Sequence, residues 1–402
     1  MNEHVFYIVW IIVQITIGYN LVFPLLLYVI YLISNKALVK PGTFFMLPDY
    51  AIIVTAYQQT DSLPQVVKSL LQLKYTNYLI YIVADNCDIS NLHFNDDRVI
   101  LLRPEETLAS NTRSHFYAIK HFERPHTYLT IIDSDNLVDP DYLDELNVYF
   151  AAGFSAVQGV REAKNLDTTF ACLDAARDIY YHFYDGKVLF GAGSSATLAG
   201  SGMAFTTSLY RECLEHLDIT GAGFDKVLQA AIVDRNYRIA FAGKAIVYDE
   251  KTSRSDQLVN QRARWINTWF KYFKYGFGMI GNGIIRFSRN QFIFGFVLVR
   301  PPLFMFLILS VLFAFINLVT GAYLNFGLWM LGLALFVAGF ALALKLSHTD
   351  KKIYQSLVNI PKFMFLQVLS VLKIFKGQKN NVATTHYVDT HIDELVNKKN
   401  ED

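Results

Sequence analysis

Two acidic groups carry the first chemical signal. Asp133-Ser134-Asp135 sets two carboxylates one residue apart, and Asp85 and Asp88 form a second group upstream. Carboxylate oxygens are hard ligands that suit Mg2+ or Mn2+, and those cations suit a diphosphate. An acidic triplet alone is more often a solvated turn or a helix cap, and Asp139 or Asp141 reads as such a cap. The position of the two groups adds weight. Each directly follows an apolar stretch with strand character. Carboxylates at the ends of neighbouring parallel strands converge on the crevice where open α/β sheets bind ligands.

The elements that would position them read as alternating strands and helices. Strands are predicted over residues 50–56, 78–84, 98–102 and 128–132, each rich in β-branched or aromatic residues. Helices are predicted over residues 61–73, 109–122 and 140–150, the first opened by an Asp/Ser–Pro signal. This rhythm implies an α/β domain with a mainly parallel sheet covered by helices on both faces.

Apolar blocks flank that domain. Residues 5–34 contain no charge, longer than the ~20 residues that cross a bilayer. Lys36 and Lys40 follow, so the positive-inside bias puts the next domain in the cytosol. A second block begins near Asn290, and its only charge before Lys345 is Arg300. A charge is costly at the bilayer centre, so Arg300 is expected at the interface, before spans over residues 301–320 and 326–344. Residues 353–375 read as a further span or, preferably, an amphipathic interfacial helix. Lys373, Lys376, Lys379, Lys398 and Lys399 keep the tail cytosolic. The expected organisation is an anchor and linker over 1–47 and a catalytic domain over 48–250. Interfacial helices follow over 251–300, two spans over 301–347, and an interfacial helix with a cytosolic tail over 348–402.

Composition agrees with a membrane protein that carries a large soluble part; the expected location is the inner or plasma membrane, crossed more than once. Of 402 residues, 53% are hydrophobic and only 18% charged, below the roughly 25% of an average soluble domain. Mean hydropathy is +0.26. The 36 basic and 35 acidic residues leave no global basic field for nucleic acid. Cys87, Cys172 and Cys213 show neither metal-ligand spacing nor a disulfide framework, and read as reduced structural thiols. No internal repeat is visible, which counts against an inverted-repeat transporter.

One ordered set of motifs goes further. Thr55-Ala56-Tyr57, Ala84-Asp85-Asn86-Cys87-Asp88 and Asp133-Ser134-Asp135 are followed by Val157-Gln158-Gly159 and Gly200-Ser201-Gly202-Met203-Ala204-Phe205. Gly223-Phe224-Asp225-Lys226 and Gln261-Arg262-Ala263-Arg264-Trp265 complete the set. In this order, over about residues 48–275, the chain resembles membrane-integrated family 2 glycosyltransferases. These are inverting enzymes with a GT-A domain, related to cellulose, chitin and hyaluronan synthases. The resemblance implies that Thr55, Ala56 and Tyr57 line the nucleotide pocket and that Asp85 meets the uracil ring. It makes Asp133 and Asp135 the metal-binding pair and Asp225 the general base. Gln261, Arg262, Arg264 and Trp265 would close over the diphosphate and the acceptor end.

Inverting sugar transfer explains why such residues are needed. The attacking hydroxyl must lose a proton to a carboxylate within hydrogen-bond reach. The leaving diphosphate needs a metal and fixed cations, and a guanidinium fork suits phosphate. Trp265 offers a face for a sugar ring or, equally, an anchor in an interfacial belt.

The chain also departs from the pattern. Phe224 precedes Asp225 where the family usually has Glu. Asn111-Thr112-Arg113-Ser114-His115 stands where many members carry a Lys near the donor diphosphate. Thr384-Thr385-His386 resembles a C-terminal segment that reaches back to the active site, with a disordered tail as the alternative. The expected activity is UDP-sugar-dependent transfer, with Mg2+ or Mn2+, to a growing polysaccharide at the cytosolic membrane face, with export. The alternatives are single transfer onto a lipid acceptor and, in another class, a catalytically silent sugar-nucleotide-binding scaffold. The partners implied are the donor, a glycan or lipid acceptor, the bilayer and, because three spans make a thin channel wall, a homo-oligomer.

Overall fold

The structure, a computed structural model, describes residues 3–34, 47–375 and 391–401. Lys36, Lys40, Lys376, Lys379 and the Thr384-Thr385-His386 segment lie outside the described residues.

A long helix α1 (Glu3–Ile33) precedes the α/β domain. The domain begins with β1 (Tyr50–Tyr57), α2 (Leu63–Leu71), β2 (Tyr78–Asp85), β3 (Val99–Leu102), α3 (Asn111–Lys120) and β4 (Tyr128–Asp133). Next come β5 (Leu137–Val138), α4 (Tyr142–Ala151), β6 (Ala156–Ala163) and α5 (Thr169–Tyr181). A π-helical stretch, His182–Val188, extends α5 into α6 (Leu189–Gly191). The domain closes with β7 (Met203–Thr206), α7 (Thr207–Leu214), α8 (Phe224–Asp234) and β8 (Ile239–Asp249).

The central strands are apolar without alternation because helices cover both sheet faces. Tyr50 to Val54 of β1 are all fully buried. Helix α2 starts with proline in its first turn and buries Leu63, Val66, Val67 and Leu70, the spacing of one helical face. Hydroxyl caps start several others: Ser110 accepts from the Arg113 amide at α3, for example, and Thr168 from the Ala171 amide at α5.

The eight strands run in the order β3-β2-β1-β4-β7-β6-β8-β5. Strands β1 to β4 are mutually parallel, whereas β7 is antiparallel to both neighbours and β5 is antiparallel to β8. The chain moves outward from β1 to β3 and returns to the other side of β1 for β4. That reversal opens a crevice at the carboxyl ends of β1 and β4. The register brings the acidic groups to it: Tyr57 pairs with Asp85, and Thr55 pairs with Asp133. The expected α/β class with a mainly parallel sheet is therefore correct, and each predicted strand lies within a residue or two of the observed one.

Beyond the sheet the chain is helical. α9 (Ser255–Tyr272), α10 (Lys274–Ile285) and α11 (Arg289–Val299) lead to α12 (Leu303–Val319) and α13 (Tyr323–Leu346). α14 (Lys351–Ser356), a 3-10 turn, α15 (Ile360–Phe375) and α16 (Ile392–Glu401) follow. Among the described residues two helices, His4–Ile33 and Tyr323–Leu346, are long and apolar enough to cross a membrane. The pair α11 and α12 bends by 72° and makes a third only if counted as one broken span. Helix α15 has 16 residues, short of the ~20 for a span, and its main packing partner is α9. A polar knot ties three of the apolar helices: Gln14 Oε1 of α1 accepts from Asn317 Nδ2 of α12 at 2.6 Å and Trp329 Nε1 of α13 at 2.8 Å.

Arg300, expected at the membrane interface, is partnered within the protein. It sits at the bend between α11 and α12, is 8% exposed, and pairs with Asp185 of the π-helical stretch. A buried carboxylate from a distant element satisfies the charge.

Candidate active site

The end of β4 carries the Asp-x-Asp pair into the crevice, where Asp133 and Asp135 face Thr55 and Tyr57 of β1. The neighbouring loop holds this end in place. Ser201 Oγ accepts from the Asp133 amide at 3.1 Å and from Asn136 Nδ2 at 2.8 Å. Gln158 Nε2 donates to the Ser201 carbonyl at 3.1 Å, and its Oε1 accepts from the Ala199 amide at 2.9 Å. Gly200 and Gly202 flank Ser201 at φ +89° and +64°, a backbone path that favours glycine. The Gly200–Phe205 motif thus supports the carboxylate pair from beneath.

Two oxygen ligands fit a divalent cation that takes its remaining ligands from substrate phosphates and water. Among the described residues no group of three or more His, Cys, Asp or Glu could hold a metal ion.

Two of the expected nucleotide residues, Asp85 and Ala56, are buried. Asp85 is not part of the crevice wall. Its Oδ1 accepts from the Leu108 amide at 2.9 Å and its Oδ2 from the Ala109 amide at 2.7 Å, so it anchors the approach to α3. Ala56 is buried in the core, while its neighbours Thr55 and Tyr57 face the crevice. Arg113 points away and forms a two-bond ion pair with Asp218 at 2.8 and 2.6 Å. Asn111 lines the crevice instead.

Asp225 enters from the opposite side, in the first turn of α8. Gly223 caps this helix at φ +99°. A Cβ there would lie 2.6 Å from Thr268 Cγ2 and 2.7 Å from Tyr272 Cε2 of α9. Only glycine lets α9 close on the turn that presents Asp225. Lys226 Nζ is 3.0 Å from the Asp225 carboxylate and donates to the Leu198 carbonyl at 2.9 Å.

The Gln261–Trp265 segment lies in α9. Gln261, Arg262, Arg264 and Trp265 all face the same cavity. Arg262 is 3% exposed and pairs with Asp174 of α5. The guanidinium carbons of Arg177 and Arg262 lie 4.2 and 4.3 Å from the Trp265 ring centre. The aromatic ring therefore serves these cations, a role the sequence did not suggest.

Asp174 begins a buried ionic chain. It bridges Arg262 and Arg177; Asp178 bridges Arg177 and Lys251; Asp249 bridges Lys251 and Arg161. Burial opposes the charge on Asp178, but Arg177 and Lys251 outweigh it and hold its pKa well below the usual carboxylate range. Burial lowers His182, beside this chain, to about 4, with Asp178 opposing.

These groups share one cavity of about 1240 Å³. That exceeds the roughly 300–1,000 Å³ of an ordinary small-molecule site, so there is room for a donor and a second molecule. Its wall changes character along its length. Asp133, Asp135, Asp225 and Arg161 face one part, while Leu307 and Val311 of α12, Leu333 and Phe336 of α13 and Phe363 of α15 face another.

Sequence reasoning missed Asp174, Arg177, Asp178, Asp185 and Lys251. A signal was present: Asp174, Asp178, Tyr181, His182 and Asp185 recur at helical spacing along a segment that otherwise reads as an aromatic core. Tyr180 and Tyr184 do pack in the core, Tyr180 stacking on Phe340 and Tyr184 donating to the Gly339 carbonyl.

A mannosyltransferase from Pyrobaculum calidifontis, solved with GDP-Man and Mn2+, shares the fold. Its TM-score is 0.52 at 12% identity, over 90% of this chain and 99% of that one. S. aureus TarS (residues 1–349, with UDP) aligns more loosely, at TM-score 0.39 and 13% identity over 58% of this chain and 65% of that one. No curated protein matches by sequence. The family model described as glycosyltransferase like family 2 matches residues 48–268, more than half of the chain. The protein thus belongs to glycosyltransferase-like family 2, with a GT-A domain whose crevice gathers Asp133, Asp135 and Asp225.

Proposed function

We propose that the protein transfers a sugar from a UDP-sugar to a lipid acceptor, with inversion, at the cytosolic face of the membrane. The observation that carries this reading is the continuity of the Asp133–Asp135–Asp225 crevice with an apolar cleft walled by α12, α13 and α15. A sugar chain needs hydroxyl or amide partners along its path. Leu307, Val311, Leu333 and Phe336 offer none, but they suit hydrocarbon. This favours the lipid branch over the polysaccharide branch that the Gln-Arg-x-Arg-Trp motif suggests by resemblance.

In this reading Asp133 and Asp135 hold Mg2+ or Mn2+, which when bound would neutralise charge on the diphosphate. The mannosyltransferase of similar fold, solved with Mn2+, supports a divalent metal. Thr55 and Tyr57 flank the nucleotide. Asp225 accepts the proton of the acceptor hydroxyl as its oxygen bonds to the anomeric carbon. The bond from that carbon to the diphosphate oxygen breaks, and UDP departs with the electron pair. Arg161, beside the carboxylate pair, and Arg264 add fixed positive charge to the leaving side.

The test is UDP release by the full chain in nanodiscs, with a panel of UDP-sugars and Mn2+, supplied with either a membrane lipid extract or soluble oligosaccharides. Release stimulated by lipid, with label in the organic phase, is expected. Release stimulated only by oligosaccharide, with lengthening products, would establish the polymer branch instead.

A further inference from the structure

The buried ionic chain has an unequal count. Arg262, Arg177, Lys251 and Arg161 alternate with Asp174, Asp178 and Asp249, so four cations meet three carboxylates and both ends are arginine. At one end Arg161 feels the charges of Asp133 and Asp135. The donor diphosphate and its metal belong there. At the other end Arg262 spends one nitrogen on Asp174, and its Nε and Nη1 are buried without a hydrogen-bond partner among the described residues. Arg300, which pairs with Asp185 across the cavity wall, likewise keeps Nη1 buried and unpartnered. Arg177 and Arg300 lie 5.9 and 5.6 Å from the Tyr181 ring centre, so the two guanidiniums flank one side chain of the cavity wall.

Buried guanidinium donors without partners favour an anion with several oxygens, and the planar fork suits phosphate above other groups. The surroundings identify what carries it. Leu258, one turn before Arg262, packs with Leu173 and with Phe363 of α15, which faces the apolar cleft. In the other direction along α9, Thr268 abuts the Gly223 turn that presents Asp225. Thr268 lies six positions after Arg262, about 9 Å along the helix. The Arg262 donors therefore lie between the proposed base and the hydrocarbon wall.

We propose that the lipid acceptor bears a phosphate, which binds the free donors of Arg262 and Arg300 while its hydrocarbon lies along α12, α13 and α15. This rests on the lipid-acceptor reading and names the headgroup chemistry of that lipid. The ordering places the reacting hydroxyl at Asp225, the phosphate at the arginines and the chain beyond.

The test uses the full chain in zwitterionic nanodiscs and three probes: farnesyl phosphate, farnesol and inorganic phosphate. Binding is read by calorimetry, with UDP plus Mn2+ titrated in parallel. Farnesyl phosphate is expected to bind at least about tenfold more tightly than farnesol, because only it engages charged donors. Arg262→Gln and Arg300→Gln should each remove most of that preference, Arg262→Lys should keep part of it, and UDP affinity should hold in all three. Equal binding of farnesol and farnesyl phosphate to the native chain would overturn the phosphate site and leave the lipid reading standing. Inorganic phosphate displacing farnesyl phosphate with equal potency would reveal a simple ion site and overturn the proposal. Failure of both farnesyl probes to bind, with UDP still bound, would remove the lipid reading and the inference with it. Loss of UDP binding in Arg262→Gln would assign that arginine to the donor and also overturn it.

Discussion

Lys226 Nζ lies 3.0 Å from the carboxylate of its own neighbour, Asp225, and 2.9 Å from the carbonyl oxygen of Leu198. The lysine thus ties the proposed base to the loop that carries Ser201 beneath Asp133. Asp225→Asn should lower kcat by at least about 100-fold, the usual worth of a positioned base, while UDP still binds. Lys226→Gln should lower kcat by about tenfold with little change in donor KM, because the carboxylate remains but loses its tether. Steady-state UDP release and UDP calorimetry on the two variants check both expectations.

Gly223→Ala should cost more than Gly221→Ala. Both residues have positive φ, at +99° and +78°, so each substitution carries the left-handed cost of roughly 1–2 kcal/mol. Only the Cβ at Gly223 meets neighbours, Thr268 and Tyr272, whereas at Gly221 nothing lies within 4 Å. Gly223→Ala is expected to lower both the unfolding temperature and kcat, because α9 must shift from the Asp225 turn. Gly221→Ala should lower the temperature less and leave kcat near native. Thermal unfolding and UDP release, measured side by side, separate the two effects.

The Asp133 and Asp135 carboxylates should govern metal affinity. Asp135→Asn is expected to weaken Mn2+ binding by about tenfold or more, since a charged ligand becomes neutral. Chelation should abolish UDP release from the native protein, and added Mn2+ should restore it. Mn2+ electron paramagnetic resonance, titrated with and without UDP, reads the affinity directly.

Stability should fall as pH drops below neutrality. Burial lowers His115 to about 3 and His182 to about 4, against about 6.5 in the unfolded chain. Between pH 6.5 and about 4 the unfolded state binds protons that the folded state refuses. Their contribution to stability is therefore complete above pH 6.5 and shrinks on acidification, by up to about 1.4 kcal/mol per pH unit for each histidine. His115 Nδ1 bonds the Tyr210 hydroxyl at 2.7 Å. His115→Gln can preserve a polar partner there without titrating, so it should flatten the fall in unfolding temperature between pH 7 and 5. An unchanged slope in that variant would contradict the assignment.

Filling the apolar cleft should discriminate by chain length. Leu333→Trp puts bulk on the α13 wall, away from the carboxylates. KM for a long-chain lipid acceptor should rise by about tenfold or more, while a short-chain analogue and the donor keep theirs. Equal effects on both acceptors would remove the cleft from the acceptor path.

Much of the frame was legible in the chain itself. Central parallel strands are unbroken apolar runs, so β1, β2 and β4 stand out, and the acidic groups that end β2 and β4 mark the crevice edge. Which carboxylate faces the crevice was not legible. Asp85 and Asp133 end the two strands that flank β1, in similar sequence contexts, yet Asp85 turns to the Leu108 and Ala109 amides. That choice depends on a loop more than 20 residues away. The ionic chain was hidden for the same reason. Its members come from α5, β6, the end of β8 and α9, and local periodicity carries no information about such pairing. Arg300 illustrates the limit: hydropathy finds the charge, but only the folded chain supplies Asp185.

The knot at Gln14 bears on how the protein is made. Its carbonyl oxygen bonds Asn317 and Trp329, which leave the ribosome about 300 residues after it. The first helix must wait with that oxygen unanswered while the entire sugar-transfer domain is synthesised. At roughly 5–20 residues per second, the wait lasts on the order of tens of seconds. A chain truncated before Asn317 would lack both partners of this oxygen, so the three apolar helices would lose the polar tie that joins them.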